Sequence, residues 1–276
     1  MNPVLFAICI VTGVGILCAV MLVVASKFMA VSVDQKESDL REALPGVNCG
    51  ACGYSGCDEY AKALANGECQ KTNLCIPGSD GVARQLANVL GVSAEDVIEQ
   101  VAVVRCNGSC EVAKIKAEYD GIPSCAAAKQ LYGGQYACQY GCLGFGDCAV
   151  GCPQDAICVH NGVARINTGK CIGCGLCAEQ CPNGVIFLLA DVHTVTVSCS
   201  NQEKGGVARK QCAAACIGCK KCEKACPSDA IHGIDNLARI DYEKCTACGK
   251  CVGECPVHCI RHEDLSGYYR FYTKKH

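Results

Sequence analysis

The stretch CIGCGLCAEQCP, residues 171–182, decides the fold because its four cysteines follow the spacing C-x2-C-x2-C-x3-C and precede a proline. The same spacing returns in CIGCKKCEKACP, residues 216–227, and in CTACGKCVGECP, residues 245–256. A fourth copy, CQYGCLGFGDCAVGCP at residues 138–153, widens the early gaps and keeps the final C-x3-C-P. A cysteine repeat therefore organises the chain, in which 30 of the 276 residues are cysteine.

So high a cysteine content indicates either a disulfide scaffold or a set of metal sites. Thiols in such tight groups are poorly placed to pair with one another, and no cleavable secretory signal is evident, so we expect metal-bound thiolates in a reducing cytoplasm. The spacing is that of bacterial two-cluster ferredoxins, in which three cysteines bind one [4Fe–4S] cluster and the fourth binds the other cluster. Zinc, which also takes four thiolates, is the less favoured metal.

This exchange of the fourth cysteine predicts two double-cluster modules, over residues 138–198 and, with a short tail, over residues 199–276. The four predicted ligand sets are Cys138, Cys142, Cys148 and Cys181; Cys152, Cys171, Cys174 and Cys177; Cys216, Cys219, Cys222 and Cys255; and Cys226, Cys245, Cys248 and Cys251. Stretches such as AICVHNGVARIN and AIHGIDNLARID predict strand, turn and strand, and hence an α+β fold.

The repeat also identifies thiols that need no metal. Cys259 occupies a slot that holds alanine or valine in the other copies, a small buried position, and Cys158 aligns with residues of no common chemistry. We expect neither to be a ligand. On spacing alone, five further cysteines are either scattered buried thiols or the source of one more cluster: Cys106, Cys110, Cys125, Cys199 and Cys212.

An earlier motif has the spacing C-x2-C-x4-C-x17-C, in a predicted domain over residues 47–90. Its cysteines are Cys49, Cys52, Cys57 and Cys75. The spacing suits zinc or a [4Fe–4S] cluster, and glycines at 50, 53 and 56 favour the cluster because they leave backbone N–H groups free to point at sulfur. Cys69 is the alternative fourth ligand; we prefer Cys75 because the IPG that follows constrains the chain there.

Residues 1–28 contain 22 consecutive uncharged residues, Val4 to Ala25, enough for a helix to cross a hydrocarbon core of ~30 Å. We predict a transmembrane anchor and not a signal peptide, because no basic region precedes the stretch and its apolar core is longer than ~15 residues. Basic residues appear only after it, so the positive-inside rule predicts a single-pass protein of the inner membrane with its soluble part in the cytoplasm. Residues 29–46 are predicted to be a charged connector that reaches up to ~70 Å and makes the first site a mobile carrier.

Residues 91–137 are predicted to be a helical linker with additional cluster ligands. Within it, VSAEDVIEQVAVVRC predicts a helix with Ser93 as its N-cap and Asp96 at the capping-box position. Because clusters would hold much of the fold together, we expect the metal-free chain to be largely unfolded.

Lys and Arg number 25 and Asp and Glu 27, so the charge gives no reason to expect nucleic acid as a partner. No G-x-G-x-x-G follows a predicted strand, and no nucleophile and base stand out, which favours a protein that transfers electrons and leaves other chemistry to partners.

The chain has, in order, an apolar helix, then CGACGYSGCDEYAKALANGE and CIPG, then YGGQYACQYGCLGFGDCAVGCPQDAI and further repeats. This order of motifs resembles that of the B subunits of Rnf complexes, membrane-bound ferredoxin:NAD+ oxidoreductases that pump Na+ or H+. The resemblance covers nearly the whole chain, and two ferredoxin modules make it similar to the versions of anaerobic fermenters and acetogens. It implies a translocase subunit that accepts electrons from reduced ferredoxin and relays them to other Rnf subunits, which carry the flavins, the NAD site and the ion path. It also implies a sixth [4Fe–4S] cluster, held by Cys106, Cys125, Cys199 and Cys212.

Small ferredoxins are usually acidic, and a basic cluster around the third repeat copy is a candidate surface for docking one: Lys204, Arg209, Lys210, Lys220, Lys221 and Lys224. A solvated basic face is the simpler explanation of the same residues. For the whole chain, the alternatives are a membrane-anchored polyferredoxin of a hydrogenase, formate-oxidising or heterodisulfide-type reductase complex, and a zinc-bound structural protein.

Overall fold

The computed structural model describes residues 3–28, 35–190 and 192–263. The fold is α+β, with short helices and strands separated by loops that carry the cysteines. A 3-10 turn lies at Ile76–Gly78. The helices are α1 (Pro3–Phe28), α2 (Gln35–Ala43), α3 (Cys57–Ala65), α4 (Ser79–Leu90), α5 (Cys125–Gln130), α6 (Asp147–Val150), α7 (Leu176–Glu179), α8 (Gly205–Gln211), α9 (Lys221–Ala225) and α10 (Lys250–Gly253).

The strands are β1 (Gln100–Val104), β2 (Ile157–His160), β3 (Val163–Ile166), β4 (Ile186–Ala190), β5 (Val195–Val197), β6 (Ile231–Ile234), β7 (Leu237–Ile240) and β8 (Ile260–His262). Within the described ranges they form four antiparallel pairs, β1 with β4, β2 with β3, β5 with β8 and β6 with β7. The β2–β3 and β6–β7 hairpins confirm both strand-turn-strand predictions. In the first hairpin, Asn161 and Gly162 both have positive φ, as the tightest hairpin turns require.

Each ferredoxin module combines one hairpin with one outer strand pair. In the first module β1 and β4 form the outer pair, and in the second β5 and β8 do. The first module therefore starts near Gln100 and the second near Val195, whereas the cysteine repeat had placed their starts at 138 and 199. The boundaries differ because each outer strand lies before the first cysteine of its repeat copy.

The helix predicted in residues 92–106 is wrong. Residues 93–99 have no regular structure, and Gln100–Val104 form β1, which pairs along β4 from Gln100 opposite Ala190 to Val104 opposite Ile186. The run of valines suits a strand, and pairing with β4 outweighs the local capping signal. The helical linker predicted over 91–137 is wrong with it, since the described residues of that range contain one helix, the six-residue α5.

The uncharged N-terminal stretch forms α1, a helix of 26 residues, as the sequence predicts. Its described side chains, those of residues 11–25, are exposed. Across the part of the chain that the structure describes, no helix has both the length and the hydropathy required to cross a membrane.

The predicted connector over residues 29–46 is not an extended tether in its second half. Residues from Gln35 form α2, which packs on α3 and α4 and fully buries Leu40. Leu44 is also buried in this core, because two leucines four residues apart face the same way. Arg41 forms an ion pair with Asp58 of α3. Residues 29–34 lie outside the described residues, and the long mobile carrier is no longer supported.

The apolar side chains form three main cores, and cysteines contribute to each. One lies around α2, α3 and α4, one inside the first module and one inside the second. The short strands and helices thus surround the thiols and do not pack into one large sheet.

Candidate metal centres

The thiols gather in six groups of four, which we number in their spatial order along the molecule. None of the cysteines whose side chains are described forms a disulfide, so a disulfide scaffold is excluded for these residues. Site 1 is Cys49, Cys52, Cys57 and Cys75; site 2 is Cys152, Cys171, Cys174 and Cys177; site 3 is Cys125, Cys142, Cys148 and Cys181; site 4 is Cys106, Cys138, Cys199 and Cys212; site 5 is Cys216, Cys219, Cys222 and Cys255; and site 6 is Cys226, Cys245, Cys248 and Cys251.

Sites 1, 2, 5 and 6 consist of thiols that the sequence had grouped in the same way. In sites 1 and 2 the thiols affect one another's ionisation. Burial, and then the neighbouring thiols of the same site, raise the pKa of Cys75 to about 11 and the pKa of Cys177 to about 12. In sites 5 and 6 the four thiols line a common cavity.

Sites 3 and 4 differ from the predicted sets by the exchange of one thiol. Cys125 lines the cavity of site 3, although the family resemblance had grouped it with Cys106. Cys138 lines the cavity of site 4, although the repeat rule had grouped it with Cys142. Cys142 borders both cavities, because its own sulfur lies near Cys125 while its backbone N–H donates to the sulfur of Cys106.

Asp147 explains why Cys125 lies in site 3. The Asp147 carboxylate accepts hydrogen bonds from the backbone N–H groups of Cys125 and Ala126, at 2.9 and 3.1 Å, and from the Ser124 hydroxyl at 2.9 Å. The Asp147 carboxylate therefore caps the N-terminus of α5 from 22 residues away. Because Asp147 directly precedes Cys148 in the chain, this cap also holds Cys125 beside Cys148. Burial opposes ionisation of Asp147, yet these hydrogen bonds outweigh it and lower the pKa.

Asn201 explains why Cys138 lies in site 4. Its side chain is 1% exposed, and its Nδ2 donates both to the Cys138 sulfur, at 3.4 Å, and to Gln211 Oε1, at 2.9 Å. Its Oδ1 accepts from the Glu203 backbone N–H at 2.8 Å. The amide is thus fully engaged, and it fastens Cys138 to the loop between Cys199 and Cys212. Neither Asp147 nor Asn201 has a local sequence signal, since each acts on a cysteine far away in the chain.

A repeated backbone contact orients the last cysteine of the repeat copies. The backbone N–H of the residue four positions after that cysteine donates a hydrogen bond to its sulfur, at 3.3 to 3.4 Å. This donor residue occupies the small, buried position that the sequence repeat predicted. The pairs are Ala156 to Cys152, Val185 to Cys181 and Ala230 to Cys226. Hydrogen bonds of this kind favour a negatively charged sulfur.

Cys259 fills the same slot in the last copy, and its side chain also contacts site 5. It is 1% exposed, and its sulfur lies 3.5 Å from that of Cys255. An interaction with the Cys259 thiol is the main cause that lowers the pKa of Cys255 to about 5 and that of Cys216 to about 6, and its single S–H donates to one of these sulfurs at a time. The sequence predicted a packing residue here, and the structure adds a thiol in sulfur–sulfur contact with the ligand candidate Cys255.

The other cysteines outside the six sites have separate surroundings. Cys69 donates to the Lys71 carbonyl at 3.6 Å and lies against Tyr54. Cys110 is exposed, and Cys158 is half-buried on β2.

The six sites fit [4Fe–4S] clusters by the chemistry of their donors. Each offers four thiols, and N–H groups donate to sulfur, the second-shell contact that such clusters use. Among the described residues, no group of three or more His, Cys, Asp or Glu is drawn together closely enough to hold one metal ion. Burial raises the pKa of Cys106 and of Cys199 in site 4 to about 12, so these thiols are protonated near neutral pH and release protons when they bind metal.

The sites form a continuous row because consecutive sites share contacts. Cys49 of site 1 lies close enough to Cys174 of site 2 to raise its pKa, after burial. Sites 2 and 3 exchange their last cysteines, as sites 5 and 6 do. Site 4 lies between the modules, because Cys106 belongs to the core of the first module and Cys199 to the core of the second. The Cys199 sulfur also accepts a hydrogen bond from the backbone N–H of Cys216 in site 5, at 3.3 Å.

The six basic residues predicted to dock ferredoxin are all exposed, on α8, α9 and the turns before them. Lys220 lines the cavity of site 5, and Cys219 of the same site is exposed. Glu223 offsets part of this charge through an ion pair with Lys220.

Three family models match parts of the chain. They are described as a putative Fe-S cluster, a 4Fe-4S binding domain and a 4Fe-4S dicluster domain, and they match residues 44–77, 164–187 and 210–256. The chain therefore has an Fe–S domain followed by two ferredoxin domains, and it carries several [4Fe–4S] clusters.

The decisive similarity extends over almost the entire chain. The chain is 43% identical to the B subunit of the proton-translocating ferredoxin:NAD+ oxidoreductase complex of Clostridium ljungdahlii, over 95% of this chain and 93% of the relative. The chain belongs to the family of Rnf B subunits. The sodium-translocating counterpart of Acetobacterium woodii is 40% identical, over 94% of this chain and 78% of the relative. The B subunit of an ion-translocating oxidoreductase complex of Methanosarcina acetivorans is 38% identical, over 92% and 96%.

Family membership confirms the resemblance drawn from the sequence motifs. Shorter members also match: the corresponding B subunit of Aeromonas salmonicida is 31% identical over 57% of this chain. This Rnf B subunit thus takes part in electron transfer within an oxidoreductase complex, and a zinc-bound structural protein is excluded.

Proposed function

We propose that this Rnf B subunit takes electrons from reduced ferredoxin and passes them to membrane subunits of a complex that reduces NAD+ and moves Na+ or H+. The observation that supports the proposal is the unbroken row of six four-cysteine sites, with site 4 joining the two modules. When bound there, [4Fe–4S] clusters supply one-electron transfer. The protein's own part is to keep neighbouring sites in contact through shared amides and sulfurs and to bury them from water.

The proposed path has its entrance in the second module and its exit at site 1. Site 1 belongs to the domain that directly follows α1 and α2, and sites 5 and 6 lie at the opposite end of the row. An electron that enters the second module must therefore pass site 4 to reach site 1. The exit lies near the membrane subunits if α1 is the anchor.

We propose α1 as a single-pass anchor in the inner membrane, with the soluble part in the cytoplasm. The support is the uncharged stretch Val4 to Ala25, which at ~1.5 Å per residue is long enough for the bilayer core, and the basic residues that follow it. The full chain should remain in the membrane fraction after carbonate washing, and a chain that starts at residue 35 should be released. Equal release of both chains would contradict the anchor.

The proposed ferredoxin surface is the group of six exposed basic residues beside site 5. Their charge favours an acidic partner, and the exposed Cys219 lies next to Lys220. Replacing Lys220 and Lys221 by Glu should slow reduction by ferredoxin about tenfold at low salt, because steering depends on unscreened charge. The effect should vanish at high salt, where the Debye length is short.

A matched control reverses two exposed lysines near site 1. Lys62 and Lys71 carry the same charge and lie in the N-terminal domain. The variant with Glu at both positions should be reduced by ferredoxin at the wild-type rate. Equal slowing of both double variants, or of neither, would refute docking beside site 5.

The function as a whole is tested with the complex purified anaerobically together with its partner subunits. Ferredoxin-dependent NAD+ reduction is measured with and without Na+, for the wild type and for Cys106→Ala in site 4. The variant should lose NAD+ reduction while sites 5 and 6 are still reduced by ferredoxin. Cys110→Ala, at an exposed thiol outside the sites, is the control. Undiminished activity of Cys106→Ala would contradict the relay.

A further inference from the structure

A cavity of about 150 Å³ lies where the two ferredoxin modules meet. It contains none of the cysteines. Arg105, just after β1, and Phe187 of β4 come from the first module, and Arg239 of β7 and Tyr242 come from the second. A space of this size holds a small molecule and not merely one water.

Two guanidinium groups line this cavity with little negative charge to balance them. Arg105 and Arg239 both line this one cavity, so two positive charges face the same small space. Arg105 lies against the ring of Phe187, with its guanidinium carbon 5.5 Å from the ring centre. This ring contact leaves the guanidinium N–H donors available at the edge.

Arg239 has one partner outside the cavity and one unused donor. Its Nη2 lies 3.8 Å from Asp235 Oδ2, a carboxylate that is 66% exposed, so the pair is weak. The Arg239 side chain is 40% exposed as a whole, whereas its Nε is buried and has no hydrogen-bond partner among the described residues. A buried charged donor without an acceptor is costly, and an acceptor from outside the chain would satisfy it.

The remaining polar group of the cavity is also a donor. Burial raises the pKa of Tyr242 to about 12, so its hydroxyl keeps its proton at neutral pH. Glu263 is the acidic group that acts on Tyr242, and its carboxylate already accepts a hydrogen bond from Thr196 at 3.2 Å. The cavity therefore presents two guanidinium cations and a hydroxyl donor.

We propose that this cavity binds a small oxyanion of the phosphate type. Guanidinium groups match the oxygens of phosphate with paired N–H donors, and two of them balance a dianion. Because Arg105 and Arg239 belong to different modules, the anion would also join the modules beside site 4.

The test uses the full-length chain, purified anaerobically with its clusters, in phosphate-free buffer at low ionic strength. Inorganic phosphate is titrated calorimetrically into the wild type, R239Q, and the double variant R105Q/R239Q. We expect saturable binding of one phosphate by the wild type, weakening by about tenfold in R239Q and loss in the double variant, since each removes charge-assisted hydrogen bonds. R84Q, at an arginine that is 69% exposed on α4, should bind like the wild type.

Thermal unfolding provides a second measurement that does not depend on heat of binding. Phosphate should raise the melting temperature of the wild type and of R84Q but not of the double variant, because a ligand stabilises only the state that binds it. Iron content and low-temperature EPR identify any variant that has lost clusters. If R239Q has lost clusters, R239K replaces it; this variant keeps the positive charge and should retain phosphate binding. Absence of saturable binding by the wild type, or equal affinity in the wild type and the double variant, would overturn the proposal.

Discussion

Replacing Cys138 and Cys199 by alanine, singly and together, measures whether these two thiols serve one site. The structure places both in the cavity of site 4, whereas the repeat rule and the family resemblance assign them to different clusters. Each [4Fe–4S] cluster holds four irons, so six sites bind about 24 irons per chain. A site that lacks one of its four cysteines is expected to lose its cluster.

The two assignments predict different iron contents for the double variants. If Cys138 and Cys199 share site 4, each single variant and the double variant all hold about 20 irons, because the second substitution removes nothing more. If Cys125 and Cys199 belong to separate sites, their double variant holds about 16. The assignment from sequence predicts the opposite result, with about 16 irons in Cys138→Ala/Cys199→Ala and about 20 in Cys125→Ala/Cys199→Ala.

The assay is iron and sulfide content of anaerobically purified protein, with EPR of the reduced protein to count the remaining clusters. Cys110→Ala, at an exposed thiol outside the six sites, is the control and should keep the full iron content. About 16 irons in Cys138→Ala/Cys199→Ala, together with about 20 in Cys125→Ala/Cys199→Ala, would refute the exchange of the two thiols.

Asp147→Asn should weaken the cap of α5 by about 1–2 kcal/mol and cause loss of four irons from site 3 at a lower temperature than in the wild type. Because hydrogen bonds lower the pKa of Asp147, its carboxylate stabilises the fold fully above the ordinary carboxyl pKa, and this stabilisation is lost as the pH falls below about 4. If the stability of the variant fell with acid pH as that of the wild type does, the result would argue against the cap. Cys259→Ala removes a hydrogen-bond donor from the site 5 sulfurs and should lower the reduction potential of that cluster by on the order of 20–60 mV at full iron content, measured by EPR-monitored titration; a rise would contradict this. Leu40→Ala should lower the free energy of unfolding of the N-terminal domain by about 2–5 kcal/mol in urea melts, while Glu42→Ala, on the exposed side of α2, should have little effect; equal losses would show that α2 is not docked.

Sequence by itself determined the features that depend on local spacing. The C-x2-C-x2-C-x3-C repeat and its proline identify the modules, because a cluster requires thiols at short and regular intervals. The hairpins after the repeat copies are equally local, since Asn161 and Gly162 suit the tight turn between two short strands. Family identity also follows from the order of these motifs along the chain.

Only the tertiary structure decided the features that depend on contacts between distant segments. Cys125 and Cys138 exchange sites because the Asp147 carboxylate and the Asn201 amide act on cysteines 22 and 63 residues away. The helix predicted after residue 92 is a strand because β4, more than 80 residues later, supplies its hydrogen-bond partners. The connector is partly a docked helix because Leu40 finds a core formed by α3 and α4. In each case the deciding energy comes from a partner that local spacing does not specify.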